Sequence, residues 1–250
     1  MIGRVGRTAL AFGLAAGVTR AVYTGLLRRR PRAGEARTRW ERTNHAGRTV
    51  DLYAGPATVL GAAAGIGSGP AAFAVLAAGV CGAYDDFAGA DDARRGFRAH
   101  LTALRNGEVT SGTVKLAGIG AAGLVAGALL KERPVDKVLA GVVIAGTAHL
   151  VNLVDVAPGR AVVTVLGLGA PGLLRGTPAA APMGAAAAVL AHDLGERTMI
   201  GDTGAHALGA AVGSAIAAGN GRLGLVVHAA GLIAAAVYGD KVSDFARSPV

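Results

Sequence analysis

The sequence contains one cysteine, Cys81, so it can form no intramolecular disulfide and no zinc site built on cysteine ligands. Aromatic residues are scarce at 4%, and charged residues reach only 16%, against about a quarter in an ordinary soluble domain. Low charge combined with 52% hydrophobic residues also excludes a disordered chain. Charge is missing altogether from long stretches: Ala54 to Tyr84, Leu116 to Leu130, Val138 to Val154, Ala161 to Leu174, Gly176 to His192, Thr203 to Gly221 and Leu223 to Gly239. Alanine and many of the 40 glycines fill them, the composition of closely packed membrane helices. The expectation is an all-α, polytopic integral membrane protein with one transmembrane domain over residues 1–250.

A span needs roughly 17 to 25 residues, which Leu116 to Leu130 and Ala161 to Leu174 do not reach alone. The stretch from Ala54 is too long for one helix, and Gly65, Gly67, Gly69 and Pro70 near its middle predict a hairpin of two spans. A further span runs from about Thr8 to Leu27, with Arg20 able to snorkel. This gives about nine transmembrane helices. With the Arg28 to Arg48 segment inside, inner loops hold 17 of the 25 Lys and Arg residues and outer loops seven, so the positive-inside rule places the N-terminus out and the C-terminus in. The same count leaves only Glu132 and Asp136 of the 16 acids outside, so carboxylate chemistry would face the cytoplasm. Residues 1 to 20, with Arg4, Arg7 and an apolar stretch, have the makings of a cleaved leader, but no Ala-x-Ala site follows them.

The net charge of +9 raises the question of nucleic acid, but the basic run Leu27 to Arg32, with Arg37, Arg39, Arg42 and Arg48, directly follows a span. That position fits a topology signal or anionic lipid contact, and no nucleic-acid partner is expected. The string Val59 to Gly67 imitates a dinucleotide-binding turn. It lacks the alternating strands and helices of that fold, and Tyr238 and Lys241 are three apart where a Tyr-x-x-x-Lys pair needs four. Close helix packing accounts better for its glycines.

Four polar clusters sit at the inner ends of the apolar stretches. Adjacent carboxylates, Asp85 and Asp86, end one span, where they are costly unless they meet a cation or a wet cavity. Asn152 and Asp155 stand at i and i+3, on one helix face, with His149 a turn deeper. Asp202 lies between Gly201 and Gly204, where the backbone can approach a ligand, and the oxygens of Asp202 and Asp155 suit a hard ion such as Mg²⁺. The segment Arg94 to Lys115 adds the basic groups that a pyrophosphate would need. Each cluster also has a plain reading, as solvated helix ends, caps or topology charges.

In this order the clusters resemble the polyprenyl-phosphate N-acetylhexosamine-1-phosphate transferases, the group of phospho-N-acetylmuramoyl-pentapeptide transferase. The resemblance covers roughly residues 40 to 240: Trp40 to Asn44 with Gly47-Arg48, Gly82 to Phe87, Val151 to Asp155, and Gly201 to Gly204 with Leu208-Gly209. It implies a membrane enzyme that moves a sugar 1-phosphate from a UDP-sugar to undecaprenyl phosphate for cell-envelope glycan synthesis, releasing UMP and using Mg²⁺. By position Asp85 and Asp86 match the paired catalytic aspartates, and Asp202 matches the metal-binding aspartate, with Asp155 as a second ligand. Asn152 and Asp155 match the start of a substrate-binding Asn-x-x-Asp-Gly-x-Asp-Gly motif, and Lys115 matches a substrate-binding lysine. The partners implied are a polyprenyl phosphate carrier and a UDP-sugar, with a homodimer left open.

The chain departs from the pattern at Val156-Ala157-Pro158-Gly159-Arg160, where Pro158 replaces the second aspartate, and it is short and lacks the family's His-rich loop. Either the nucleotide site is built differently, with Arg160 or the loop from His192 to Arg197 helping, or the activity has been lost. Two rivals remain at this level. One is a non-catalytic scaffold or lipid-carrier binder on the same fold; the other is a small transporter, which would place its charges at mid-span.

Overall fold

A computed structural model of the chain describes residues 3–29, 39–89, 96–175 and 178–248. Arg30, Arg32, Arg37, Arg94 and Arg95 of the basic segments, with Asp91 and Asp92, lie outside the described residues. Helix α1 (Arg4–Arg28) is followed by a departure from the all-α expectation. Strands β1 (Glu41–Thr43) and β2 (Thr49–Asp51) form a small antiparallel hairpin, with Arg42 opposite Val50. Asn44 closes its turn, Oδ1 accepting from the backbone N–H of Ala46 at 3.0 Å and of Arg48 at 2.9 Å. Such side-chain turns compete locally with helix and need no long apolar run, so hydropathy does not show them.

Helices α2 (Ala54–Ile66) and α3 (Pro70–Ala88) form the expected hairpin. Gly67 and Gly69 take φ of +86° and +94°, and Pro70 occupies the first helical turn, where its missing N–H costs nothing. Next come α4 (Gly96–Arg105), α5 (Ser111–Leu130), α6 (Pro134–Leu153), α7 (Arg160–Arg175) and α8 (Ala180–Leu194). Helices α9 (Gly201–Gly219), α10 (Arg222–Val237) and α11 (Gly239–Arg247) complete the order.

Helix α9 is the axis of the bundle, buried along nearly its whole length and packed against α3 and α6, with α2, α7 and α8 around it. Small residues make this possible. A Cβ on Gly209 would lie 2.6 Å from the Ala148 Cα of α6, and one on Gly213 would lie 2.8 Å from the Ile144 Cα. A Cβ on Gly65, inside the string that imitates a nucleotide-binding turn, would lie 2.7 Å from the Ala11 carbonyl oxygen and 2.8 Å from the Ala181 Cβ. That string therefore lies on the contact face of α2 with α1 and α8, where Gly61 and Gly65 serve helix packing, while Gly67 makes the turn into α3.

Among the described residues, four helices are long and apolar enough to cross a membrane: α1, α3, α5 and α6. The pair α10 and α11, bent by 80°, makes a fifth if counted as one span. Helix α5 gains its length from the turn that carries Lys115, so the Leu116 to Leu130 stretch is longer as a helix than its charge-free part. The other apolar stretches do not reach the same standard. Helices α2 and α8, at 13 and 15 residues, measure about 20 and 22 Å against a hydrocarbon core of about 30 Å. Helix α7 has 16 residues with Pro171 inside, and α9 has 19 residues but is rich in glycine and polar groups.

Charged residues gather at both ends of the bundle. At one end Arg222 donates to Asp136 at 2.7 Å and Lys131 to the Asn220 carbonyl at 2.9 Å. The other end carries the clusters read from the sequence.

Candidate active site

The acidic end is assembled around the start of α9. Gly201 has φ of +57°, and a Cβ there would lie 3.0 Å from an Asp86 oxygen, so a glycine is required both by conformation and by space. Gly82, one turn before Asp86 on α3, lets the two helices touch: a Cβ there would lie 2.5 Å from the Asp202 carbonyl carbon and 2.7 Å from the Thr203 nitrogen. With α3 this close, Asp86 caps α9. Its Oδ1 accepts from the Asp202 N–H at 3.1 Å, and its Oδ2 accepts from the Thr203 N–H at 3.0 Å and the Thr203 hydroxyl at 2.5 Å. These are N–H groups that a helix start otherwise leaves without partners, and a carboxylate there also meets the positive end of the helix dipole.

Asp85 points elsewhere. Its Oδ2 receives the Lys115 ammonium at 2.7 Å, and the same ammonium pairs with Asp202. Lys115 stands on the second turn of α5, whose start is fixed by Thr110, with Oγ1 accepting from the Thr113 N–H at 3.1 Å. His100 of α4 holds Thr110 in turn, at 2.9 Å. Three helices thus bring Asp85, Asp86, Lys115 and Asp202 into one cluster of partly buried groups.

Asp155 lies in the turn between α6 and α7, and its carboxylate accepts no hydrogen bond among the described residues. Burial, followed by the charges of Asp193, Asp202 and Asp86, holds its pKa well above the ordinary carboxylate value. Asp155 lines a small cavity of about 80 Å³ together with Asn44, Pro158, Asp193 and Glu196. Asp193 fastens the turn, its Oδ2 accepting from the Gly159 N–H at 2.6 Å, so a carboxylate from α8 stands beside the position where Pro158 has none. Asn152 is on the last turn of α6, facing neither Lys115 nor Asp85 in any hydrogen bond. Arg160 is not brought into the cluster: its Nη2 donates to the Ser248 carbonyl at 2.8 Å. The loop after His192 closes on itself, with Arg197 donating to the Ala191 carbonyl at 3.0 Å, while Arg20 meets the His192 ring at 3.2 Å.

The hairpin supplies groups that sequence reading did not single out as site residues. Arg42 donates to the Asp86 carbonyl, and Trp40 packs edge-on against Phe87 at 4.8 Å. Asn44 donates to Glu196 at 2.6 Å, and Thr198 donates to Asp51 at 2.7 Å, which ties the hairpin to the loop leading into α9. The only signal for these was the run Trp40 to Arg48 itself, which names residues but not their partners. His206, one turn into α9, reaches the Asp202 carbonyl at 2.8 Å, and the His149 Nε2 is buried without a partner.

Asp155 and Asp202 carry the kind of oxygen that a hard divalent cation takes, the Asp155 carboxylate with no hydrogen-bond partner among the described residues and Asp202 paired with Lys115, which also holds Asp85. No group of three or more His, Cys, Asp or Glu side chains among the described residues is already drawn together as a finished metal cage. A cation here would need substrate or water oxygens to complete its shell, which is the usual habit of Mg²⁺. No protein-family model matches the chain, and no curated protein matches it.

Proposed function

We propose that the protein is a multi-pass cell-membrane phospho-sugar transferase that passes a sugar 1-phosphate from a UDP-sugar to a polyprenyl phosphate at the cytoplasmic face. The observation that carries this reading is the convergence of Asp85, Asp86, Lys115 and Asp202 from three helices at one end of an apolar bundle. In that placement α2, α7, α8, α9 and α10 join the four long helices as short spans, giving nine, with the N-terminus out and the C-terminus in. The count of basic residues supports this orientation, since 17 of 25 fall on the side of the acidic cluster.

An oxygen of the lipid phosphate attacks the β-phosphorus of the UDP-sugar. The bond from that phosphorus to the bridging oxygen breaks, and UMP leaves with that oxygen and its electron pair. Both reactants are anions, so positioning and charge compensation do most of the work. Asp202 and Asp155 would hold Mg²⁺, which would supply charge neutralisation of the pyrophosphate when bound. Lys115, paired with Asp85 and Asp202, exchanges a carboxylate partner for a phosphate oxygen when substrate enters. Asp85, released from Lys115, orients the incoming lipid phosphate or takes its remaining proton, and Asp86 keeps Asp202 in place.

The test is to incubate purified protein with undecaprenyl phosphate, Mg²⁺ and a panel of UDP-sugars, following UMP. Release that requires both lipid and metal is expected. No UMP from any combination overturns the transferase reading and leaves a carrier-binding scaffold on the same fold.

A further inference from the structure

Helix α11 divides into three sectors. The inner one is fastened to the end of α6: the Ser243 hydroxyl donates to the Leu153 carbonyl at 2.8 Å, Gly239 faces the Leu153 side chain, and Ala246 is buried. A second sector carries Asp240, Asp244 and Arg247, with Arg247 and Asp244 paired at 2.8 Å. The third holds Phe245, 83% exposed, and Lys241 four residues earlier, whose ammonium lies 5.4 Å from the ring centre of Tyr238, itself 58% exposed. At 100° per residue, Phe245 lies roughly opposite the Asp240 and Arg247 side of the helix.

We propose that this third sector docks into the headgroup boundary of the bilayer, making α11 a helix that lies on the membrane. Two observations name the occupant as lipid. The 80° bend turns α11 across the end of α10, an apolar helix whose Val226, Val227, Ile233 and Val237 are exposed along one side of the bundle. Exposed apolar residues therefore follow one another from α10 through Tyr238 to Phe245, while Asp240 and Arg247 lie on the other side of α11 from Phe245. An aromatic pair with a lysine beside it is the chemistry of that boundary: the rings enter the acyl edge, and the ammonium reaches lipid phosphate. Since α11 is bonded to Leu153, and Arg160 to Ser248, this contact also braces the turn that carries Asp155.

The inference rests on the membrane placement and not on the transferase activity, and a protein that fails to enter vesicles exposes the former fault before any label is read. In a Cys81→Ala background, Phe245→Cys and Asp244→Cys are spin-labelled in proteoliposomes of phosphatidylcholine with phosphatidylglycerol. Collision with oxygen, which partitions into lipid, is compared with collision with a water-soluble nickel chelate. The label at 245 should favour oxygen by at least about fivefold over the label at 244, and Tyr238→Cys should follow 245. A label at 245 as open to the nickel chelate as the one at 244 would mean that the sector faces water. A label at 245 closed to both reagents would mean that protein covers it. Either result overturns the proposal.

Discussion

Gly82→Ala tests the contact on which the acidic cluster depends. The added methyl would sit 2.5 Å from the Asp202 carbonyl carbon and 2.7 Å from the Thr203 nitrogen, where about 3.5 Å is needed. Both obstacles are backbone, so no side chain can turn aside, and α3 must move off α9 by about 1 Å. The N–H bonds from Asp202 and Thr203 to Asp86, now 3.1 and 3.0 Å, would stretch to about 4 Å and cease to be hydrogen bonds. Overpacking of this kind costs about 1–3 kcal/mol, and each bond to a charged group about 1.5–3 kcal/mol, with relaxation returning part of the sum. A net loss of about 3 kcal/mol should lower the melting point in detergent by about 6–12 °C. Gly120→Ala is the control: nothing lies within 4 Å of its Cβ, so the alanine should leave the melting point unchanged or raise it. Fluorescence-detected size exclusion after heating reads both variants. A Gly82→Ala protein melting within about 1 °C of the parent would refute the close approach of α3 and α9.

Three further outcomes are expected. Asp202→Asn should abolish Mg²⁺-dependent UMP release while the protein remains folded and inserted, because the amide keeps the shape and loses the charge; unchanged metal dependence would remove Asp202 from the metal site. Asp85→Asn and Asp86→Asn should each lower turnover at least about tenfold, or about 1.4 kcal/mol of transition-state stabilisation. Parental rates in both from pH 6 to 9 would make the pair purely structural. Cysteines placed at position 134 should react with impermeant reagents from outside and those after Gly239 from inside, and the reverse pattern would invert the orientation.

The gaps between charges, with the glycines and Pro70 inside the first of them, deliver the α2–α3 hairpin and the placement of Asp85, Asp86 and Asp202 at helix ends. Partnership is a different matter. Asp85 and Asp86 are neighbours with the same chemistry, yet one meets α5 and the other α9, a choice set by the rotation of α3 that hydropathy does not encode. The hairpin from Glu41 to Asp51 escapes notice because its fold is set by Asn44 and by bonds to residues some 150 positions away. Helix α11 is charged enough to pass for a solvated tail, and only its bend and its bond to Leu153 show otherwise. Arg160 illustrates the opposite error: its place after the Asp155 turn suggests a ligand contact, while its side chain holds the C-terminal segment.

Successive residues of a helix point about 100° apart, so a doubled aspartate is not a spare copy. Asp86 receives three donors from the first turn of α9, and the same turn holds Asp202. Anything that draws Asp86 away releases two backbone N–H groups and loosens the segment on which Asp202 rides. The pair is therefore a fastening beside a lysine-bound carboxylate, and the fastening is assembled only when α3 and α9 enter the bundle at matching depth. A chain with α9 seated one turn too high or too low would lose the cap, the Lys115 pairing and the candidate metal ligand together. Such a mis-seated copy would be inserted yet lack the assembled cluster altogether.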